Sequence, residues 1–464
     1  MLKIIFLFLM SGGVPVAIAM AGASLIYIFF TQSSPPFVVM HRMISGIDSF
    51  PLLAVPFFIL AGNLMNNAGI TNRIFNYALA LVGWMKGGLG HVNVVGSVIF
   101  AGMSGTAIAD AAGLGTVEIK AMKDHGYSTE FAVGVTAASA TLGPIIPPSL
   151  PFVIYGMMAN VSVGALFLAG ILPGVLMAIL MMITVAYFAH KNGWGADVKF
   201  EWPRVIKALL ETAVVIGWPL VLWVLITKFG FPPRTSVFVA LIALFVADRV
   251  FKFEAVLPIM TPVLLIGGMT TGLFTPTEGA IAACVWAMVL GLFWYKTLSW
   301  KMFVKVCLDT VETTATVLFI VAAASIFGWM LTATGVTAAI GEWVLGFTKE
   351  PWAFLLLANL LMLFVGCFLE PTAAITILVP ILVPICQKLG IDLIHFGLVM
   401  VLNLMIGLLH PPMGMVLFVL ARVAKLSVER TTMAILPWLI PLIGSLIVIT
   451  YVPSVVLWLP KMFY

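Results

Sequence analysis

The chain has 464 residues, 62% of them hydrophobic and only 9% charged, and its mean hydropathy is +1.17. A soluble domain carries about 25% charged residues to hydrate its surface, so soluble enzymes, nucleic-acid binders and disordered chains are excluded and an integral membrane protein remains. The net charge of +5 reads as Lys and Arg in cytoplasmic loops, not as a nucleic-acid footprint.

A hydrocarbon core about 30 Å thick takes about 20 apolar residues per helical span. By that length the sequence predicts helices over 4–30, 52–67, 163–190, 210–227, 236–250, 257–272, 276–295, 302–331 and 432–459. The run from Ile4 to Phe30 is too long for a signal-peptide core and has no small-residue cleavage site close behind it, so it is read as the first span. Two further stretches, 92–126 and 351–389, are too long for one pass and broken midway, the pattern of helical hairpins that enter and leave on one side. The breaks are 101–110, holding Ser104, Thr106 and Asp110, and 366–372, holding Glu370, Pro371 and Thr372. Irregular backbone at membrane depth is tolerated only beside protein or a water-filled cavity, which makes both tips site candidates. Each hairpin precedes a second broken segment, 138–149 with Pro147 and Pro148, then 403–414 with His410, Pro411 and Pro412. Paired prolines remove two backbone donors and obstruct the preceding turn, so a helix does not run through them.

These features recur at a nearly fixed spacing. Gly69 in Asn66-Asn67-Ala68-Gly69-Ile70-Thr71 matches Gly335 in Thr332-Ala333-Thr334-Gly335-Val336-Thr337, since 335 − 69 = 266, and the proline pairs give 411 − 147 = 264. The tips fall in the same register, Thr106 against Pro371 or Thr372. Such matches indicate an internal duplication. With Lys120 and Lys123 cytoplasmic, the count of spans places His190, Lys191, Lys199, Arg204, Lys207, Arg249, Lys252, Lys296, Lys301, Lys305, Arg422, Lys425 and Arg430 inside. Lys228 and Arg234 then lie outside, and Lys349 and Lys388 at the outer base are exceptions, each near an acid. In this count the two hairpins open on opposite sides, so the copies are inverted.

The expected architecture is an all-α polytopic membrane protein with an inverted repeat, two re-entrant hairpins, two broken helices and about 12–14 spanning segments. Its parts are scaffold over 1–91, transport elements over 92–160, connecting and scaffold helices over 161–350, transport elements over 351–421, and a C-terminal scaffold helix over 422–464. Inverted repeats with broken helices meeting at the midplane are the build of secondary transporters, where half-helix N-termini face a carboxylate while hydroxyls and freed carbonyls hold Na⁺. Ser104, Thr106, Ser139, Thr141 and Gly143 are candidates for one Na⁺ cage, and Thr372, Thr376, Asn403 and Gly407 for its counterpart. The bland alternative is that these small residues only permit close helix packing. For the substrate region the candidates are Asp110, Pro147, Pro148, Ser149, Glu370, His410, Pro411 and Pro412. Ionisable residues in hydrocarbon usually face a partner or a cavity. Asp110 and Glu370 also read as helix N-caps, as does Glu278 in Thr275-Pro276-Thr277-Glu278. Cys284, Cys307, Cys367 and Cys386 and the six histidines show neither metal-ligand nor disulfide spacing. No P-loop, nucleophile elbow, H-E-x-x-H or dinucleotide fingerprint is present, which disfavours an ATP-driven pump and leaves coupling to an ion gradient.

Leu52-Leu53-Ala54-Val55-Pro56-Phe57-Phe58-Ile59-Leu60-Ala61-Gly62, Gly102-Met103-Ser104-Gly105-Thr106-Ala107-Ile108-Ala109-Asp110, Gly143-Pro144-Ile145-Ile146-Pro147-Pro148-Ser149, Phe274-Thr275-Pro276-Thr277-Glu278 and Asn403-Leu404-Met405-Ile406-Gly407 resemble the large membrane subunit of tripartite ATP-independent periplasmic (TRAP) transporters. The resemblance covers nearly the whole chain. It implies a Na⁺-coupled importer of organic acids in the bacterial inner membrane, not an enzyme. It further implies a small four-helix membrane subunit and a periplasmic substrate-binding protein as partners, and an elevator motion of the hairpins and broken helices against a static scaffold. On matching positions it puts Ser104, Asp110, Ser149, Glu370 and Thr372 in the ion and substrate region. Two departures stand out: a helical pair near 210–257 additional to the usual large subunit, and His410 where the family commonly has Thr. The competing readings are a self-sufficient carboxylate or anion permease, and a membrane enzyme acting on lipid-linked sugar, which the short loops and few charges disfavour.

Overall fold

The computed structural model describes residues 1–228, 232–253, 255–270, 273–411 and 414–463. It does not describe the side chains of helical residues 104, 219, 220, 222–224, 226, 233, 234, 238 and 270. The chain is helical, and the one β-type pairing among the described residues is a bridge between Lys86 and Ala196.

The chain opens with α1 (Leu2–Ser11), α2 (Val16–Thr31) and α3 (Phe37–Ile47). The expected first span is therefore two helices: Gly12 and Gly13 leave the helix, and Pro15 at the start of α2 cannot continue one. A 3₁₀ turn Phe50–Leu53 leads into α4 (Ala54–Asn67), followed by α5 (Ile70–Val82). The first hairpin is α6 (Gly88–Ser104), the short α7 (Ala107–Ala112) and α8 (Leu114–Asp124). The first broken segment is α9 (Thr129–Ala140), turns over 141–149 and α10 (Leu150–Ala159), and it returns through α11 (Val163–Asn192). Next come α12 (Trp202–Thr227), α13 (Pro233–Phe251), α14 (Val256–Thr270) and α15 (Pro276–Met288), which ends in a π-helical turn Val289–Trp294. The second copy runs through α16 (Trp300–Ala333), α17 (Val336–Phe347), the hairpin α18 (Pro351–Gly366) and α19 (Pro371–Lys388), the broken pair α20 (Leu393–Gly407) and α21 (Met415–Ala424), and α22 (Val428–Tyr451). Two short helices, α23 (Pro453–Leu457) and α24 (Pro460–Phe463), end the described chain, so the span expected over 432–459 starts and stops earlier. Among the described residues six helices are long and apolar enough to cross a membrane singly.

The duplication is visible helix by helix. The starts of α10 and α21 differ by 415 − 150 = 265 and those of α11 and α22 by 428 − 163 = 265. The caps repeat as well. Ser162 and Ser427, 265 apart, each accept the N–H of the residue three positions on, and Asn160 and Lys425, also 265 apart, both end the preceding helix in the left-handed region. Gly69 and Gly335 take the same left-handed conformation before α5 and α17, at φ 70° and 71°. The copies interlock reciprocally, α9 with α22 and α20 with α11, α10 with α19 and α21 with α7, as a two-fold relation requires.

The central core is built chiefly from the hairpins, the broken segments, α11 and α22, with Phe152, Phe167, Phe354, Phe396 and Trp438 buried in it. A second cluster, around Phe100, Trp218, Leu257 and Trp286, joins α4 and α5 to α12–α15. A third, around Met20, Ile326 and Phe327, joins α1–α3 to α16.

Candidate functional site

The first hairpin turns at Gly105, which lies in the left-handed region at φ 63°. A Cβ there would stand 2.9 Å from the Pro148 carbonyl oxygen, so the tip needs glycine both for its turn and for its fit. Thr106 starts α7, its hydroxyl accepting the Ala109 N–H, and its own carbonyl lies 3.1 Å from where a Cβ on Gly143 would be. The tip therefore nests against both ends of the turns at 141–149. Those turns are closed by Ser149, whose Oγ donates to the Pro144 carbonyl at 2.6 Å and accepts the Phe152 N–H. The Pro147–Pro148 peptide within them is cis.

The second copy reaches the same arrangement by closer contact. A Cβ on Gly407 would fall 2.6 Å from the Gly366 backbone, so α18 and α20 touch main chain to main chain where each ends. Glu370 caps α19 by accepting the Ala373 N–H and receives the Thr372 hydroxyl at 2.9 Å. His410 is half-buried and stands 3.4 Å from the Ile406 carbonyl; Pro411 is exposed. The half-helix α21 starts at Gly414 with no side-chain cap. The Ser104 side chain and Pro412 lie outside the described residues.

The capping question thus has three outcomes. Glu278 forms a full capping box with Thr275 and Glu370 is a cap, but Asp110 is not: α7 starts three residues before it and Thr106 does the capping. Asp110 is buried, and neither of its carboxylate oxygens has a hydrogen bond of normal geometry, although Ser97 is within reach.

Several residues of this region are not among the sequence candidates. Asn93 on α6 donates to the Glu118 carboxylate at 2.5 Å and to the Thr136 hydroxyl at 2.9 Å, and accepts from Ser139 at 2.7 Å. Ser97 donates to Ser139. Glu118 is buried and keeps Oε1 without a hydrogen-bond partner. The second copy repeats the bridge: Asn403 donates to Asn359 at 2.8 Å, and Asn359 to Thr450. The offsets are 359 − 93 = 266 and 403 − 139 = 264, and at 264–266 beyond Glu118 stand Leu382, Val383 and Pro384, so the second copy has no acid there. Ser139 and Asn403 are thus tied sideways to the hairpins' first helices, and do not point at the tips.

Of the other candidates, Thr141 and Thr376 donate to carbonyls in their own turns, at 2.6 and 2.8 Å. A hydroxyl that gives its proton to a carbonyl keeps its lone pairs for another ligand.

A duplicated, helical membrane chain with interrupted helices at its centre is the build of secondary transporters. The chain belongs to the TRAP family: residues 3–455 match the tripartite ATP-independent periplasmic transporter, DctM component. It is 40% identical to the sialic acid TRAP transporter large permease protein SiaM of Vibrio cholerae, over 98% of this chain and 96% of that one. It is 33% identical to the C4-dicarboxylate TRAP transporter large permease protein DctM of Rhodobacter capsulatus, over 98% and 97%. The isethionate TRAP transporter permease protein DctMQ of Oleidesulfovibrio alaskensis is 34% identical over 96% of this chain and 63% of its own length. Among solved structures, the Alcanivorax borkumensis YdaH transporter shares the fold with a TM-score of 0.54 at 14% identity, covering 89% of this chain and 87% of that one. The protein is a multi-pass membrane transporter component, not an enzyme.

Proposed function

We propose that this chain is the carrier of a Na⁺-coupled importer of a small organic acid in the bacterial inner membrane, working with a small four-helix subunit and a periplasmic binding protein. The observation that carries the reading is the paired build of the two tips. In each copy a half-helix starts where a hairpin turn meets a broken segment, and nearby hydroxyls spend their protons locally and leave lone pairs outward. Helix N-termini favour a carboxylate and outward oxygens favour a hard cation. The named relatives transport acids, among them sialic acid, C4-dicarboxylates and isethionate.

In this reading Thr106, Thr141, Gly143, Thr372 and Thr376, with Ser104, serve the Na⁺ sites, and Ser139, Asn403 and Gly407 hold the broken helices in place. Asp110, Ser149, Glu370 and the proline turns, with His410, border the substrate. The mobile part spans about 92–160 and 351–421. The pair α12–α13 belongs to the static part: Tyr77 bonds Thr212, Glu211 accepts the Ala255 N–H at 3.0 Å, and Trp294 donates to Asp248 at 2.9 Å, tying the pair to α5, α14 and the end of α15. α22 lies along α9 and α11 and, as static scaffold, is the surface on which the mobile part slides.

The test is uptake into liposomes by the purified chain with and without a small subunit, a binding protein and Na⁺. Uptake should need all three and vanish when K⁺ replaces Na⁺ at constant membrane potential. Asp110→Asn should abolish uptake at normal expression. Full uptake in K⁺ with a proton gradient overturns Na⁺ coupling, and uptake by the chain alone favours the self-sufficient permease.

A further inference from the structure

Away from the tips, α5 and the approach to α12 enclose an open cavity of about 290 Å³, lined by Lys199, Arg204 and Lys207 together with Tyr77, Trp84 and Glu211. These cations belong to the Lys- and Arg-rich flank that the positive-inside pattern places in the cytoplasm. Two acids share the lining and are largely committed. Glu211 is buried and accepts the Ala255 N–H, while Glu201 meets Arg204 at 3.5 Å with both side chains more than half exposed. An exposed pair of that kind contributes little and is free to exchange for a stronger anion. Lys207 donates to the Lys252 carbonyl at 2.7 Å, which fixes its ammonium at the rim without neutralising it.

The edge of the cavity is aromatic and apolar. Trp84, Phe200 and Trp202 pack edge to face, with ring centroids 5.1 and 5.0 Å apart, and all three are exposed. Beyond them α12 exposes Ile206, Leu209 and Leu210. Exposed Trp rings settle at headgroup level, and basic pockets between helices on the cytoplasmic side suit anionic headgroups.

We propose that this cavity binds the headgroup of an anionic phospholipid, with Lys199, Arg204 and Lys207 holding its phosphate, Trp84 and Trp202 at headgroup depth, and its acyl chains along Ile206, Leu209 and Leu210. Free phosphate meets the same cations but not the apolar strip. A zwitterionic lipid sets its own ammonium against three positive charges. The site gives α12 a purpose, since that helix supplies Arg204, Lys207 and Glu211 of the lining. It does not depend on what the carrier transports.

Thermal unfolding of the full-length protein in detergent tests this, with cardiolipin, phosphatidylglycerol, phosphatidylethanolamine and inorganic phosphate added separately. The two anionic lipids should raise Tm saturably, and phosphatidylethanolamine and phosphate should not. Each cation near an anionic lipid surface is worth about fivefold in affinity. Lys199→Gln, Arg204→Gln and Lys207→Gln combined should therefore weaken the lipid response on the order of a hundredfold, and Arg204→Gln alone about fivefold. Lys120→Gln with Lys123→Gln, at the hairpin base, should leave it unchanged. If the triple variant does not fold, Arg204→Gln carries the test, because that side chain is 60% exposed. An equal response to phosphatidylethanolamine, an equal response to phosphate alone, or undiminished lipid affinity in Arg204→Gln overturns the proposal.

Discussion

Replacing Asp197 by alanine should loosen the base of the first hairpin. The linker between α11 and α12 lies against that base, Gly87 N–H donating to the Gly195 carbonyl at 2.9 Å, and one oxygen of Asp197 does double duty. Its Oδ2 accepts the Leu89 N–H at 2.8 Å and the Tyr127 hydroxyl at 2.5 Å. The Leu89 amide belongs to the first turn of α6 and has no partner inside the helix. A hydrogen bond to an ionised group contributes about 1.5–3 kcal/mol, and a buried donor left alone costs about 1–3 kcal/mol. Tyr127 is buried, but Asp197 is only half-buried, so water recovers part of the loss and about 2–4 kcal/mol remains. Burial first, and the Asp197 carboxylate second, push the Tyr127 hydroxyl well above its ordinary pKa, so it stays a donor into the alkaline range. Amide hydrogen exchange at 88–93 reads the opening of this turn directly. Asp197→Ala should speed it at least about thirtyfold, the equivalent of about 2 kcal/mol. Asp197→Asn, which keeps an acceptor but not the charge, should show about half the free-energy effect. In a double-mutant cycle with Tyr127→Phe the coupling should be about 1 kcal/mol. Unchanged exchange in Asp197→Ala, or strictly additive single effects, refutes the clamp.

Gly407→Ala should abolish folding or uptake, because the new methyl group meets the Gly366 backbone at 2.6 Å with no flexible side chain to yield; Gly143→Ala, at 3.1 Å, should be milder, and yield on size exclusion together with uptake ranks them. Asn93→Ala should lower stability more than Asn359→Ala, by about 2–4 against about 1–2 kcal/mol, because only Asn93 satisfies a buried carboxyl group; thermal unfolding checks the order. Thr275→Ala should cost about 1 kcal/mol through the lost capping box and leave uptake intact, as measured by the same two assays.

The large features of this fold are legible in sequence because each has a local cause. Spans over 163–190 and 302–331 follow from length and hydropathy, and the structure extends them only to Val163–Asn192 and Trp300–Ala333. The hairpin breaks follow from Gly, Pro and capping residues, and the duplication from matched glycines and proline pairs. What escapes is shorter or tertiary. α3, α5 and α17 are under 20 residues and mix polar with apolar, so a length criterion passes over them. Glu118 sits in 114–124 among Lys120, Lys123 and Asp124, and reads as a surface residue until α6 and α9 close over it. The period did carry a signal for the bridge: Asn93 and Ser97 are four residues apart on α6, and Thr136 and Ser139 three apart on α9, the spacings that share a helix face. Asp197 stands in a linker, where no periodicity speaks for it.

The lack of a second-copy counterpart to Glu118 bears on the energetics of the two halves. Two inverted copies of identical sequence would be related by an exact two-fold axis and would have equal packing energies. Here one half buries an acid held by Asn93, while the other has no acid there and ties Asn359 to Thr450. Burying an ionisable group costs far more than burying a hydrocarbon, so the packing of the first copy has a cost that the second does not. The two copies are thus chemically unequal in the protein itself, before any ion or substrate binds.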